Sequence, residues 1–173
     1  MNYTRQANEV LKKAEKTARD MNHPYIGTEH LLIGLREVYT GVAGQILDAN
    51  RVDEERILTV MEELVSPVGD TAAVRSPGIS PRLAYILEDS EAEAKRFRCD
   101  EIGTEHLLLA LLRDVDCVAC RILLTLNINI QKVYQEILEV LGADPREYQE
   151  ELSQEAGGAK GAVLEQFGTD LTA

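Results

Sequence analysis

Two identical blocks of seven residues carry the clearest chemical potential in this sequence. Residues 26–32 read Ile-Gly-Thr-Glu-His-Leu-Leu, and residues 102–108 repeat them letter for letter. Glu29 and Glu105 occupy equivalent positions at the predicted start of a helix, where a negative charge is favoured. A carboxylate held there can bind a guanidinium group through two parallel hydrogen bonds. The blocks therefore predict either recognition of a cationic ligand or a purely structural helix start.

The histidines of the two blocks, His30 and His106, have side chains that can bind metal or transfer protons. Neither has a second ligand or base at a suitable spacing, so a structural role is favoured, in which each imidazole donates a hydrogen bond to a backbone carbonyl. In this structural interpretation the other small and polar residues of the blocks form tight turns and cap the helices: Gly27, Gly103, Thr28 and Thr104.

Cys117 and Cys120 form a Cys-x-x-Cys pair that, with Cys99 and the histidines, suggests a zinc or redox site. The repeat argues against such a site, because the paired cysteines align with Gly41 and Gly44, where only small residues are needed. A structural zinc ion requires four ligands, and only two are suitably spaced. We predict small packing residues here, with no metal and no cofactor. No nucleophile lies beside a base, so no catalytic residue is assigned.

The elements that position these residues are repeated as well. The second block lies 76 positions after the first, and this register continues without a gap from Thr4 opposite Ser80 to Glu63 opposite Glu139. A fixed register of that length indicates two copies of one supersecondary unit. The predicted divisions are a first repeat at 1–66, a Pro- and Gly-containing linker at 67–79, a second repeat at 80–142, and a segment at 143–173 that leads to a further module.

Each copy has the apolar spacing of four helices. Thr4 and Ser80 are predicted N-caps of the first helices, and Pro81 suits a first helical position. The second helices begin at Thr28 and Thr104 and are apolar enough to be central. The third and fourth helices are predicted at 42–47, 54–65, 118–124 and 130–141, with Asp53 and Asn129 as caps. No segment alternates long enough to predict a strand, so the class is all-α, two tandem four-helix repeats related by a pseudo-twofold axis.

Length, charge and cysteine content narrow the class of protein. A chain of 173 residues is long enough to bury a sizeable core. The net charge of −12, from 18 basic and 30 acidic residues, argues against nucleic acid as a partner. The longest apolar stretch falls far short of the roughly 20 residues of a membrane span, so no membrane partner is predicted. Three cysteines and the lack of a signal-peptide pattern predict a cytoplasmic protein.

A doubled four-helix unit whose second helix opens Ile-Gly-Thr-Glu-His-Leu-Leu, followed by Gly-Val-Ala, resembles the N-terminal repeat domain of Clp-family AAA+ unfoldases, especially the ClpC branch. The resemblance covers residues 3–142, and residues 167–173 are similar to the junction into that family's first ATPase module. It implies a receptor for adaptors such as MecA or McsB and for phosphoarginine-marked proteins, which a hexameric parent delivers to the ClpP protease. The fragment has neither Walker motif, so it is predicted not to hydrolyse ATP by itself. As an isolated domain it is expected to be a monomer.

The resemblance also implies two phosphoarginine sites, one in each repeat. Glu29 and Glu105 match the family glutamates that hold the guanidinium group. The first-helix starts at Thr4 and Ser80 match the positions that receive the phosphoryl group, where unpaired amides, a hydroxyl and the helix dipole favour an anion. A carboxylate beside an anion site suits a ligand that carries both charges.

Two arginines complete the implied sites, Arg82 in the second repeat and Arg5 in the first. The family reads Phe-Thr-Glu-Arg-Ala where residues 3–7 read Tyr-Thr-Arg-Gln-Ala, so the first arginine is shifted by one position, about 100° around the helix. We therefore expect the site with Arg82 to be the stronger. Cys99 replaces a histidine found before the second block in many relatives.

Two alternatives stand beside the receptor. The first is a structural cap or regulatory domain, as in a ClpB-like disaggregase, which does not bind phosphoarginine. The second is a metal-dependent hydrolase that uses His30, His106 and the cysteines. Elemental analysis of protein purified without added metal tests the second, because stoichiometric zinc or iron is required for it.

Overall fold

The computed structural model describes residues 1–64 and 77–142 and consists, over these residues, of eight helices and four two-residue strands. The first repeat contains β1 (Asn2–Tyr3), α1 (Arg5–Asp20), β2 (Tyr25–Ile26), α2 (Thr28–Glu37), α3 (Val42–Ala49) and α4 (Glu54–Leu64). The second contains β3 (Gly78–Ile79), α5 (Pro81–Arg96), β4 (Glu101–Ile102), α6 (Thr104–Arg113), α7 (Val118–Thr125) and α8 (Ile130–Val140). Most of the predicted linker and all of 143–173 lie outside the described residues.

The predicted all-α class with two four-helix repeats is confirmed, and the helix starts follow from their capping residues. The Thr4 hydroxyl accepts a hydrogen bond from the amide of Ala7 at 3.1 Å, and the Ser80 hydroxyl accepts one from Leu83 at 3.1 Å. These bonds satisfy amides that have no partner inside the helix. Asn129 caps α8 in the same way, by accepting from the amide of Lys132 at 3.1 Å.

The strands differ from the prediction, which contained none. β1 pairs in parallel with β4, and β2 pairs in parallel with β3, so each pair joins the two repeats. Gly78 and Ile79, assigned from sequence to the linker, form β3. Two-residue strands are too short to show alternation, and each finds its partner in the other repeat, so no local pattern could indicate them.

The second helix of each repeat lies at the centre of the core. Residues 28–35 of α2 and residues 106–112 of α6 are all buried, as expected of helices that are covered on every side. The outer helices bury only one face, which in α1 consists of Ala7, Val10, Ala14 and Ala18. In the described part of the chain, no helix combines the length and apolar character needed to cross a membrane.

The two repeats exchange equivalent helix caps. The Thr28 hydroxyl of α2 accepts a hydrogen bond from the amide of Ala119 in α7 at 3.2 Å, and the Thr104 hydroxyl of α6 accepts one from Ala43 in α3 at 3.2 Å. The prediction that these threonines cap their own helices is therefore wrong, because a glycine occupies each N-cap position and the threonine follows it. Reciprocal contacts of this kind are what a twofold relation between the repeats requires.

Removing these exchanged caps should weaken the contact between the repeats. We expect Thr28→Val and Thr104→Val each to lower the free energy of unfolding by about 1 kcal/mol, because a helix-start amide loses its acceptor. Urea denaturation followed by circular dichroism measures this change. Thr125→Val is the matched control, since that exposed hydroxyl donates to the carbonyl of Arg121 within its own helix. Equal losses of stability for all three variants would show that the exchanged caps contribute no more than a hydroxyl hydrogen bond within one helix.

Candidate functional site

The strand pairs decide which helix start lies beside which glutamate. In the β2–β3 pair, the amide of Ser80 donates to the carbonyl of Ile26 at 3.0 Å. Ile26 precedes Glu29 by three residues, so the start of α5 lies beside the start of α2. We call this combination of helix starts the Ser80–Glu29 group.

The second strand pair repeats this arrangement. The amide of Thr4 donates to the carbonyl of Ile102 at 2.9 Å, which places the start of α1 beside the start of α6 and its Glu105. We call this the Thr4–Glu105 group. Each group therefore combines residues of both repeats, whereas the resemblance implied one site within each repeat. Only the cross-repeat strand pairing reveals this exchange.

Each glutamate folds back over the glycine that begins its helix. A Cβ atom added at Gly27 would lie 3.0 Å from Cδ of Glu29, and one added at Gly103 would lie 2.8 Å from Cδ of Glu105. In both cases the carboxylate oxygen Oε1 would lie closer still. The two glycines are thus required by the approach of the carboxylate and not by an unusual backbone angle, since both have extended φ values near −100°.

The two carboxylates differ in burial, but neither has an ion-pair partner among the described residues. Glu29 is only 6% exposed, whereas Glu105 is half-buried. Burial raises the pKa of Glu29, and a hydrogen bond within its own residue and the nearby His23 partly oppose this shift. Neither carboxylate forms an ion pair with any residue of 1–64 or 77–142. Both therefore have capacity for a cationic ligand.

The helix starts provide different numbers of free amides. In α1 the first two amides, those of Arg5 and Gln6, have no partner within the helix. In α5 the first position is Pro81, which has no N–H, so Arg82 provides the corresponding single amide. The Thr4–Glu105 group therefore offers one more backbone donor to an anion than its counterpart.

The two candidate arginines also differ. Arg82 is held by Asp114, with Nη1 at 2.7 and 2.9 Å from the two carboxylate oxygens. Arg5 is the exposed first residue of α1. A phosphoryl group must compete with Asp114 for Arg82. The expectation that the site with Arg82 binds more strongly than the site with Arg5 stays a prediction. Sequence reasoning missed Asp114, because it lies 32 residues from Arg82 and its counterpart in the first repeat is Val38.

The histidines act as hydrogen-bond acceptors, and the prediction that they donate to a carbonyl is wrong. Nδ1 of His30 accepts from the amide of Gly27 at 2.8 Å, and Nδ1 of His106 accepts from Gly103 at 2.9 Å. The unpaired backbone groups at a helix start are N–H donors, so a side chain that folds back there must accept. Each imidazole thus carries its proton on Nε2.

Among residues 1–64 and 77–142, only one of these Nε2 atoms has a hydrogen-bond partner. Nε2 of His30 lies 2.7 Å from Nδ1 of His23, and burial together with the charge of His23 lowers the pKa of His30 to about 4. Nε2 of His106 is buried without a hydrogen-bond partner, because Cys99 replaces His23 in the second repeat. Burial also lowers the pKa of His106. The alignment of Cys99 with His23 was the sequence signal for this contact.

Restoring the missing histidine should stabilise the second repeat. The amides of His23 and Cys99 donate to the equivalent carbonyls of Ala18 and Ala94, each at 2.8 Å, so a histidine fits the backbone at 99. We expect Cys99→His to raise the free energy of unfolding by about 1 kcal/mol at neutral pH, because Nε2 of His106 gains an acceptor. Urea denaturation measures it. In a His106→Asn background the gain should disappear, and its persistence would contradict this explanation.

The cysteine pair is buried in the core. The thiols of Cys117 and Cys120 lie 3.8 and 3.4 Å from the carbonyl of Leu111. The hydrogen bond with the Cys117 thiol, followed by burial, raises the pKa of Cys120. At the aligned positions a Cβ on Gly41 would lie 2.9 Å from the Thr104 hydroxyl, so the space is small. Within 1–64 and 77–142, no three His, Cys, Asp or Glu side chains are grouped as metal ligands would be.

Comparison with known proteins places this arrangement in a family. The family model described as the Clp repeat (R) N-terminal domain matches residues 2–123 and 78–168. The chain belongs to this Clp repeat family. The two groups described above are therefore the helix starts of a Clp N-terminal domain, and no catalytic domain is evident in the matched residues.

Curated relatives of this Clp N-terminal domain are ATP-binding subunits of Clp proteases. A ClpA homolog from Porphyra purpurea is 32% identical over 170 residues, which is 98% of this chain and 21% of the relative. ClpC from Staphylococcus aureus is 34% identical over 139 residues, which is 80% of this chain and 17% of the relative. The chain thus spans about a fifth of the length of the curated relatives it matches.

Solved structures show the same fold. The Hsp104 N-terminal domain from Candida albicans is 14% identical with a TM-score of 0.69, covering 84% of this chain and 98% of that one. A ClpV N-domain solved in complex with a VipB peptide is 17% identical with a TM-score of 0.63, covering 83% of this chain and 89% of that one. At these identities the likeness concerns the fold alone.

Proposed function

We propose that this Clp N-terminal domain recognises substrates and adaptors for a ClpC-type AAA+ unfoldase. It binds phosphoarginine-marked proteins and adaptors similar to MecA or McsB, and its hexameric, cytoplasmic parent hydrolyses ATP to deliver them to ClpP. One observation supports the proposal. In each group a carboxylate lies over the glycine that begins its helix, and the preceding strand residue accepts a hydrogen bond from the N-cap residue of another helix. In this proposal the domain binds the marked proteins and adaptors, and catalysis is left to the parent protein.

The chemistry of phosphoarginine fits this combination. Its guanidinium group is a planar cation that a carboxylate such as Glu29 or Glu105 can bind through two hydrogen bonds. Its phosphoryl group is an anion that the free amides at the starts of α1 and α5 can receive. Because the two charges are joined by one N–P bond, the ligand needs a cation site and an anion site side by side. Thr4 and Ser80 retain a hydroxyl proton to donate, since each oxygen accepts its capping bond.

Calorimetric titration of the domain with free phosphoarginine tests the proposal. We expect two binding events per chain, and little heat from arginine or inorganic phosphate at the same concentrations, because each satisfies only half of a group. Glu29→Gln and Glu105→Gln should each remove one event, since an amide keeps the side-chain shape but loses the charge.

The outcomes separate the receptor from the structural cap. No heat above dilution with phosphoarginine would overturn the proposal and favour a cap, as in a ClpB-like disaggregase. Two binding events that persist in the Glu29→Gln/Glu105→Gln double variant would show that the ligand binds elsewhere. Equal affinity for inorganic phosphate and phosphoarginine would show that the two groups bind anions without recognising the guanidinium group.

A further inference from the structure

Three exposed apolar side chains belong to the elements that form the Ser80–Glu29 group. Tyr25 of β2 is 53% exposed, Ile79 of β3 is 52% exposed, and Tyr85 of α5 is 63% exposed. Exposed apolar side chains that cluster on a protein surface mark sites of contact with a partner, whereas isolated ones do not. All three lie on the elements that build the group.

These side chains are continuous with the proposed site along the backbone. Tyr25 is paired in register with Gly78, and the next pair is Ile26 with Ile79, directly before Ser80. Tyr85 follows Arg82 by three positions and thus shares its face of α5. Exposed apolar side chains therefore both precede Ser80, on the paired strands, and follow it, on α5.

At the Thr4–Glu105 group, acidic side chains stand in place of exposed apolar ones, beside the exposed Arg5. Glu101 occupies the position of Tyr25, and Glu9 occupies the position of Tyr85, and both are exposed. Tyr3, in the position of Ile79, is partly buried, and burial followed by the charge of Glu91 raises its pKa. Apart from Met1, which precedes β1, no exposed large apolar side chain belongs to β1, β4, α1 or α6 within the described residues.

From this contrast we infer that the two groups prefer different residues on either side of the phosphorylated arginine. The Ser80–Glu29 group takes phosphoarginine flanked by large apolar residues, and the Thr4–Glu105 group takes phosphoarginine flanked by basic residues. This inference rests on the proposed function and adds the substrate class. Large apolar residues are buried in most folded proteins. The Ser80–Glu29 group thereby selects marked segments of unfolded chains.

Three phosphoarginine peptides that differ only in flanking residues test the inference. Their flanks are glycine, leucine with phenylalanine, or lysine, and each is titrated into Glu105→Gln, which retains only the Ser80–Glu29 group. We expect the apolar peptide to bind about tenfold more tightly than the glycine peptide, because burial of its flanks adds favourable free energy. In Glu29→Gln, the lysine peptide should bind most tightly, and its advantage should shrink as salt is added.

Variants of the apolar side chains provide the matched control. Tyr25→Ser/Ile79→Ser/Tyr85→Ser in the Glu105→Gln background should bind free phosphoarginine as before and lose the preference for apolar flanks. Tyr85→Ser alone, an exposed helix position, should reduce the preference without affecting the strand pair.

Failure of this inference is distinguishable from failure of the proposed function. If free phosphoarginine binds but all three peptides bind equally, the flank preference is overturned and the receptor stands. Equally tight binding of the unphosphorylated apolar peptide would also overturn the inference, because the surface would then accept any apolar segment. If free phosphoarginine does not bind at all, both the proposed function and this inference are wrong.

Discussion

Gly103→Ala is expected to weaken phosphoarginine binding at the Thr4–Glu105 group by roughly 10- to 100-fold. The added methyl group would occupy the space in which the Glu105 carboxylate lies, with Cδ only 2.8 Å away. The flexible side chain would rotate out and lose its position beside the start of α1. Gly27→Ala should have the same effect on Glu29, whose Cδ lies 3.0 Å from the added atom. Calorimetry with free phosphoarginine measures both losses.

The fold should tolerate these substitutions. Gly27 and Gly103 have φ and ψ values of the extended region, which alanine adopts without strain, and alanine restricts the unfolded chain. We therefore expect the free energy of unfolding to change by less than about 1 kcal/mol. Gly78→Ala is the matched control, because a Cβ there has no atom within 4 Å. Unchanged binding by Gly103→Ala would show that the position of the Glu105 carboxylate does not matter.

Stability of the domain is expected to fall by about 3 kcal/mol as the pH is lowered from about 6.5 to 4, because of His30. The folded state holds the pKa of His30 near 4, whereas an unfolded histidine takes up a proton near 6.5. Between these values the unfolded state binds more protons, so lowering the pH favours unfolding. The stabilisation is complete above 6.5 and is lost as the pH falls to 4. His106, whose pKa burial also lowers, acts in the same direction.

Other groups at this helix start modulate the effect. Burial raises the pKa of Glu29, so its protonation favours the folded state and opposes the loss at the acidic end. Nδ1 of His23 faces Nε2 of His30, and the charge of His23 helps to lower the pKa of His30. The expected net slope remains positive, with stability rising as the pH increases from 4 to 6.5.

Urea denaturation at several pH values between 4.5 and 7.5 measures this slope. The matched variant is His30→Asn, whose side-chain oxygen can accept from the amide of Gly27 but does not titrate. It should be less stable than the parent at pH 7.5 and show a shallower dependence on pH. An equal slope in parent and variant would show that another group is responsible.

Helix starts and core helices were predictable because their causes are local. Thr4, Ser80 and Asn129 accept from amides three residues ahead, a relation that is visible in the sequence. The unbroken apolar character of 107–112 required burial on all sides, and α6 is central. The duplicated register also indicated Cys117 and Cys120 as packing residues, since a packed unit reuses the same small positions.

The sequence by itself determined the class, the repeats and the residue types that can bind a doubly charged ligand. Tertiary structure alone decided which of them meet: the strand pairs join Ser80 to the Glu29 side and Thr4 to the Glu105 side, across the repeats. It also gave Arg82 its partner Asp114, and in the part of the chain that the structure describes it left Nε2 of His106 without a hydrogen-bond partner. The reason is physical, because capping and apolar periodicity act over three or four residues, whereas these contacts form only when both halves of the chain fold together.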